Sequence, residues 1–162
     1  MAATRWHDCA TREAFESEAC RRILDAMRAA LAERGAFHIV LAGGDTPRGV
    51  YARLRAADTD WTGWHVYFGD ERCLPAGDPA RNDSMARQAW LAHVPIPAGQ
   101  CHAMAAELGP ETAAEGYASL LRDVDRFDLV LLGLGRDGHT ASLFPGHAWA
   151  SLPDWPDVLA VH

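Results

Sequence analysis

Apolar positions along the chain fall into two repeating patterns, and their alternation predicts an open α/β sheet. From Glu13 to Arg34, Phe15, Ala19, Ile23, Met27, Ala30 and Leu31 recur at helical spacing, and Gly35 supplies a stop. Phe37 to Leu41 is a short β-branched run ended by Gly43 and Gly44, the signature of a buried strand. Thr46 as N-cap and Pro47 at the first helical position predict the next helix, which carries Val50, Tyr51 and Leu54. Trp64 to Phe68 alternates into a second strand, before a polar loop from Gly69 to Pro79. Asn82 or Asp83 caps a helix expected to run to about His93, and Pro95 and Pro97 lie beyond it. Glu111 to Val124 reads as another amphipathic helix, with Tyr117, Leu120, Leu121 and Val124 on its apolar side. Phe127 to Leu132 is a nearly continuous apolar run, as in a central parallel strand covered on both faces. Asp157 to His162 resembles the beginning of a further strand. With no repeat, low-complexity tract or linker, the 162 residues are expected to form a single domain.

Composition narrows the possible partners. Hydrophobic residues make up 49% and charged residues 23%, an ordinary globular balance. The net charge of −7 argues against a general nucleic-acid or anionic-membrane surface, since both require excess positive charge. Neither a signal peptide nor an apolar run of membrane-spanning length is visible, so the expectation is a cytoplasmic protein. Cys9, Cys20, Cys73 and Cys101 are scattered without a CxxC pair, which predicts reduced thiols rather than a zinc site or a disulfide framework. An acidic protein that binds an anionic metabolite needs a local gathering of backbone N–H groups and arginines.

In a parallel sheet, ligands collect beyond the carboxyl ends of the strands, and three polar loops fall there. Ala42 to Pro47 places Gly43 and Gly44 before a helix start, where close backbone approach and the positive end of the helix suit a phosphate. A plain strand-to-helix turn fits the same residues, and Asp45 would repel a phosphate unless it points away. Gly69 to Arg72 brings Asp70, Glu71 and Arg72; the arginine suits a phosphate, a polarised carbonyl or a structural ion pair. Gly133 to His139 matches the GxGxxG dinucleotide fingerprint, but Pro145, Gly146, Pro153 and Pro156 interrupt the long helix that a nucleotide fold would need. What remains of that loop is Asp137-Gly138-His139. An imidazole with an ordinary pKa of about 6.5 suits a general base at neutral pH, and a carboxylate two residues away can orient the ring. No G-x-S-x-G elbow is present, so direct attack by water is the simpler chemistry.

Three segments together resemble the 6-phosphogluconolactonase family: Leu41 to Pro47, Phe68 to Pro75 and Phe127 to Gly146, in family order and with family-like spacing. The resemblance implies a Rossmann-like open, mostly parallel sheet with helices on both faces, shared with the glucosamine-6-phosphate deaminases. It implies hydrolysis of 6-phosphoglucono-1,5-lactone, a small sugar-phosphate lactone, to 6-phosphogluconate in the oxidative pentose phosphate pathway, with no metal and no cofactor. Carried over by motif, His139 would activate water with Asp137 as its partner, Gly43, Gly44 and Thr46 would form the phosphate loop, and Arg72 would bind substrate. The deaminases also carry Asp-Gly-His, but Thr140 to Pro145 and Asp70-Glu71-Arg72 are closer to the lactonases. A non-catalytic sugar-phosphate-binding fragment is the alternative outside enzymes. Family members usually continue past the strand expected near Asp157, which implies that this chain lacks the C-terminal part of the pattern. The oligomeric state is left open.

Overall fold

The computed structural model describes residues 4–147 and 155–162. Helix α1 spans Arg12–Arg34, strand β1 Phe37–Leu41, helix α2 Asp45–Leu54, strand β2 Trp64–Phe68, helix α3 Asn82–Ala89, helix α4 Pro110–Leu121 and strand β3 Leu129–Val130, with short 3-10 turns between them. The three strands are parallel in the order β2-β1-β3. β1 runs in register with β2 from Phe37 beside Trp64 to Leu41 beside Phe68, and Ile39 and Val40 lie beside Leu129 and Val130 of β3.

The helix ends follow from specific residues. Thr11 caps α1, its hydroxyl accepting from the Ala14 amide at 3.1 Å, and Gly35 closes the helix at φ 72°, where a β-carbon would be strained. The expected cap at Thr46 is corrected: α2 begins at Asp45, with Gly44 as N-cap at φ 104° and no side-chain cap. Nor do Asn82 and Asp83 cap α3. The carboxylate of Glu71 does so from the preceding loop, accepting from the Asn82 amide at 2.7 Å and the Asp83 amide at 2.8 Å. That helix stops at Ala89, and a 3-10 turn at Leu91–His93 follows in place of its expected last turn.

Alternation along β1 and β2 divides the core between two faces. Phe37, Ile39, Leu41, Trp64, Val66 and Phe68 pack with Ile23 and Met27 of α1, Val50, Tyr51 and Leu54 of α2 and Ala86 and Ala89 of α3. Each large apolar side chain so buried contributes roughly 1.5–3 kcal/mol. Trp61, Trp64 and Trp90 meet in this layer, with Trp64 and Trp90 fully buried and their ring centroids 5.4 Å apart. Val40 and Tyr67 point the other way, against Tyr117 of α4. Helices therefore cover both faces of a parallel sheet, as the sequence predicts.

Two expectations at the far side of the sheet are corrected. β3 is not a covered central strand: among the described residues it pairs only with β1, at one edge. Val130, Leu132 and Leu134 are 46%, 67% and 82% exposed, because no described strand lies along the other side of that run. Residues 157–162 carry no strand; Val158 instead packs against the α4-side cluster. The expected break at Pro153 lies outside the described residues.

The α4 side also holds a stack of aromatic rings. His38 lies on His65 at 4.6 Å between centroids, and Tyr67 lies on His102 at 4.5 Å. Burial pushes the pKa of all three histidines below the ordinary imidazole value; neighbouring His65 adds to this at His38 and His102, while Asp128 opposes it at His38. The folded protein therefore holds these rings neutral while the unfolded chain takes up protons below about pH 6.5. Stability is fully present above that value and is lost as pH falls toward the depressed folded pKa values. The thermal unfolding midpoint should drop between about pH 7.5 and 5.5, and His65→Phe should flatten the drop. A pH-independent midpoint in the wild type would contradict this.

Candidate functional site

The loops after β1, β2 and β3 meet at the carboxyl end of the sheet around a cleft of about 1190 Å³. Gly43, Gly44, Thr46, Arg72 and His139 all line it. Of the six residues singled out in the sequence, five thus share one cleft, and the sixth, Asp137, is bonded to His139.

The β1 loop is shaped by what surrounds its glycines. Tyr51 of α2 holds its start, the hydroxyl accepting from the Ala42 amide at 3.0 Å and donating to the Ala42 carbonyl at 2.8 Å. A β-carbon on Gly43 would come within 2.1 Å of Asn82 Oδ1, so only glycine lets the backbone lie against that amide. Gly44 at φ 104° then turns the chain into α2, whose first amides have no side-chain cap and face the cleft end of the helix. The charge of Asp45 is taken by Arg48, 2.9 Å away, and its carbonyl by Arg12 at 2.7 Å. A carboxylate paired in this way weakens the repulsion expected beside an anion.

Beyond β2, the neighbours of the Asp-Glu-Arg triplet have separate tasks. Glu71 is inward, capping α3; desolvation raises its pKa against the bonds from the Asp83, Asn82 and Arg72 amides. Arg81, 2% exposed, joins it to Asp83 and Glu107 in an ion network that reaches the surface at Glu107. Arg72 itself is exposed at the cleft, one guanidinium nitrogen donating to the Ala80 carbonyl.

After β3 the chain folds back on itself. The Gly135 amide donates to the His139 carbonyl at 2.8 Å, and the Gly138 amide to the Gly135 carbonyl at 3.0 Å, with Gly138 at φ 91°. His139 Nδ1 lies 2.6 Å from Asp137 Oδ1, and this bond holds the Asp137 carboxyl below the usual carboxylate range. An ionised carboxylate can only accept, so the contact places a proton on Nδ1, and in the neutral ring the lone pair is then on Nε2. The ring leans on Phe144 at 5.0 Å. A Thr140–Leu143 bridge follows, with Ala141 at φ 49°, and no helix succeeds Gly138 among the described residues. The dinucleotide pattern therefore lacks its helix here.

Sequence reasoning missed Asp70, Asn82 and Ser142 as parts of this site. Asn82 Nδ2 donates to Asp70 Oδ1 at 3.0 Å and Ser142 Oγ to Asp70 Oδ2 at 2.8 Å. Only tertiary contact brings them together; the short distance from Asp70 to Arg72 was the one available hint. No three or more His, Cys, Asp or Glu side chains are grouped as a metal would require, among the described residues. His38 and His65 stack with planes 6° apart, so their lone pairs do not converge on one point. No helix of the described residues is long and apolar enough to cross a membrane.

Residues 10–162 match the family model described as glucosamine-6-phosphate isomerases/6-phosphogluconolactonase. A 6-phosphogluconolactonase of Synechocystis is 45% identical over 125 residues, covering 72% of this chain and 52% of the relative. One from Streptomyces coelicolor is 40% identical over 154 residues, covering 84% of this chain and 59% of the relative. Among solved structures, 6-phosphogluconolactonase from Trypanosoma brucei superposes with a TM-score of 0.82 at 30% identity, covering 94% of this chain and 67% of that one. The chain thus spans between half and two thirds of the length of these relatives.

Proposed function

The chain belongs to the family of glucosamine-6-phosphate isomerases and 6-phosphogluconolactonases, and from that premise we propose that it hydrolyses 6-phosphoglucono-1,5-lactone to 6-phosphogluconate. The observation that carries this reading is the convergence of the Gly43–Gly44 turn and His139 on one cleft. A sugar-phosphate lactone presents two demands: a dianion to anchor and an ester carbonyl to attack. The cleft offers a group for each.

In this reading the phosphate sits at the start of α2 against the amides around Gly43 and Gly44 and the Thr46 hydroxyl, where the helix end is positive. Arg72 supplies a cation at the same anionic end. His139 Nε2 removes a proton from water as its oxygen attacks C1, and Asp137 stabilises the imidazolium that forms. The C1–O bond of the ring then breaks. The departing C5 oxygen takes the proton back from the imidazolium, leaving an open-chain acid and a neutral histidine. Every proton is accounted for by water and one imidazole. The same reading places the enzyme in the cytoplasm, on a freely diffusing substrate.

Lactone opening by the purified protein, followed as acid release above the spontaneous rate, tests the proposal. Saturable hydrolysis is expected, with no ammonia released from glucosamine 6-phosphate. Ammonia release without lactone opening would transfer the chain to the isomerase branch. Thermal stabilisation by 6-phosphogluconate with neither activity would mark a binding module.

A further inference from the structure

We propose that Asp70 is a positioning residue: its carboxylate fixes the loop that carries His139 relative to the glycine turn. The proposal rests on the functional reading above, because it concerns where the base stands with respect to the anchored phosphate.

The three loops of the cleft leave three different strands, and strand pairing alone does not set the distance between their tips. A cross-loop tether has to do so. Asp70 lies just past β2 with one oxygen turned to each neighbour. Oδ2 accepts from Ser142 Oγ at 2.8 Å, three residues after His139. Oδ1 accepts from Asn82 Nδ2 at 3.0 Å, and the Asp70 carbonyl accepts from the same amide at 3.0 Å. Asn82 is 5% exposed, and the two bonds donated by its Nδ2 to Asp70 turn that nitrogen toward the β2 loop. Its oxygen faces Gly43, where a β-carbon would lie only 2.1 Å away. Gly43, Asn82, Asp70 and Ser142 therefore form a continuous path from the phosphate turn to the base loop. On the far side, the Thr140–Leu143 bridge makes the turn that holds Ser142 a closed unit next to His139.

The chemistry specifies a carboxylate here. Asn82 and Ser142 each donate to it, so the group between them must accept twice. An amide of the same shape can accept on one side only and sets two donors against each other on the other. Asp70→Asn should thus release one arm despite its nearly equal volume. Ser142→Ala removes the other end of the tether, and Ser142→Thr keeps the hydroxyl.

Two measurements on the full chain form the test. Backbone ¹⁵N relaxation reads the order of residues 139–144 without reference to any reaction, and steady-state lactone hydrolysis reads the consequence. Asp70→Asn and Ser142→Ala should each loosen that loop and lower kcat roughly 10- to 100-fold, since displacement of a reacting group by about 1 Å costs that order. KM should change by less than about threefold, because the phosphate anchor is untouched. Ser142→Thr should restore loop order and most of kcat, and the double variant should be no worse than the worse single one. A loop that stays ordered in both variants overturns the proposal, as does a loosened loop with unchanged kcat. A kcat loss accompanied only by a lower unfolding temperature, the loop remaining ordered, overturns it too. Loosening of the loop in a protein whose wild type opens no lactone would leave the tether standing and sink the proposed activity instead.

Discussion

His139→Ala is expected to lower kcat for lactone opening by roughly 10²- to 10⁴-fold, the usual contribution of a positioned general base. Asp137 occupies the Nδ1 side of the ring at 2.6 Å, so the proton-accepting edge is Nε2, and alanine removes it outright. KM should be nearly unchanged, since the phosphate would be held at the start of α2, in another loop. Folding should also be little affected: the side chain is 37% exposed and its described ring contact is with Phe144 of the same loop. Substitutions of that kind usually shift stability by no more than about 0.5 kcal/mol. Asp137→Asn should fall in the same direction by a smaller factor, because an amide can hold the ring but does not balance the imidazolium charge. Near wild-type turnover in His139→Ala would remove the base from the mechanism.

Gly135→Ala is expected to lower kcat by roughly 10²-fold while every chemical group of the mechanism remains present. A β-carbon at this position would lie 2.2 Å from His139 Nδ1 and 2.7 Å from Asp137 Oδ1, inside the bond that orients the ring. The side chains must separate to admit it. Asp137 would then return toward its ordinary carboxylate pKa, because the bond from His139 is the main cause of its depression. The imidazole would lose both its fixed tautomer and its direction. Titration of the Asp137 carboxyl by NMR in this variant reads the first effect, and kcat reads the second. An alanine variant with wild-type kcat and an unmoved Asp137 titration would mean that the loop repacks at no cost.

The sequence carried the sheet and the cleft unevenly, for physical reasons. Strands β1 and β2 were legible to the residue, because β-branched and aromatic side chains alternate between two buried faces and glycines end both runs. Gly35 likewise marked the end of α1, since a glycine stop is local, whereas the cap at Thr11 emerged only in the fold. The start of α3 near Asn82 was legible but its cap was not: the capping carboxylate is Glu71, eleven positions upstream, and no local rule reaches that far. At β3 the apolar run of Phe127 to Leu132 signalled a strand but not its place in the sheet. Hydropathy records what a segment would bury, whereas edge or centre depends on which other strands lie beside it. Gly43, Gly44, Thr46, Arg72 and His139 stood out because each sits just after a strand, in a loop or at the helix start that follows it, and parallel strands send such segments to one end. Asp70 looked like one charge of a solvated triplet. Its two partners come from α3 and from the β3 loop, so only the folded chain reveals it.

Lactone opening in this cleft requires one ligand to touch both the glycine turn and the imidazole at the same time. Titration of ¹⁵N-labelled protein with 6-phosphogluconate measures this directly. Shifts that saturate together at the Gly43 and Gly44 amides and at the His139 ring are the expected result. Saturation at His139 with no change at the glycines, or at the glycines with none at His139, would contradict it.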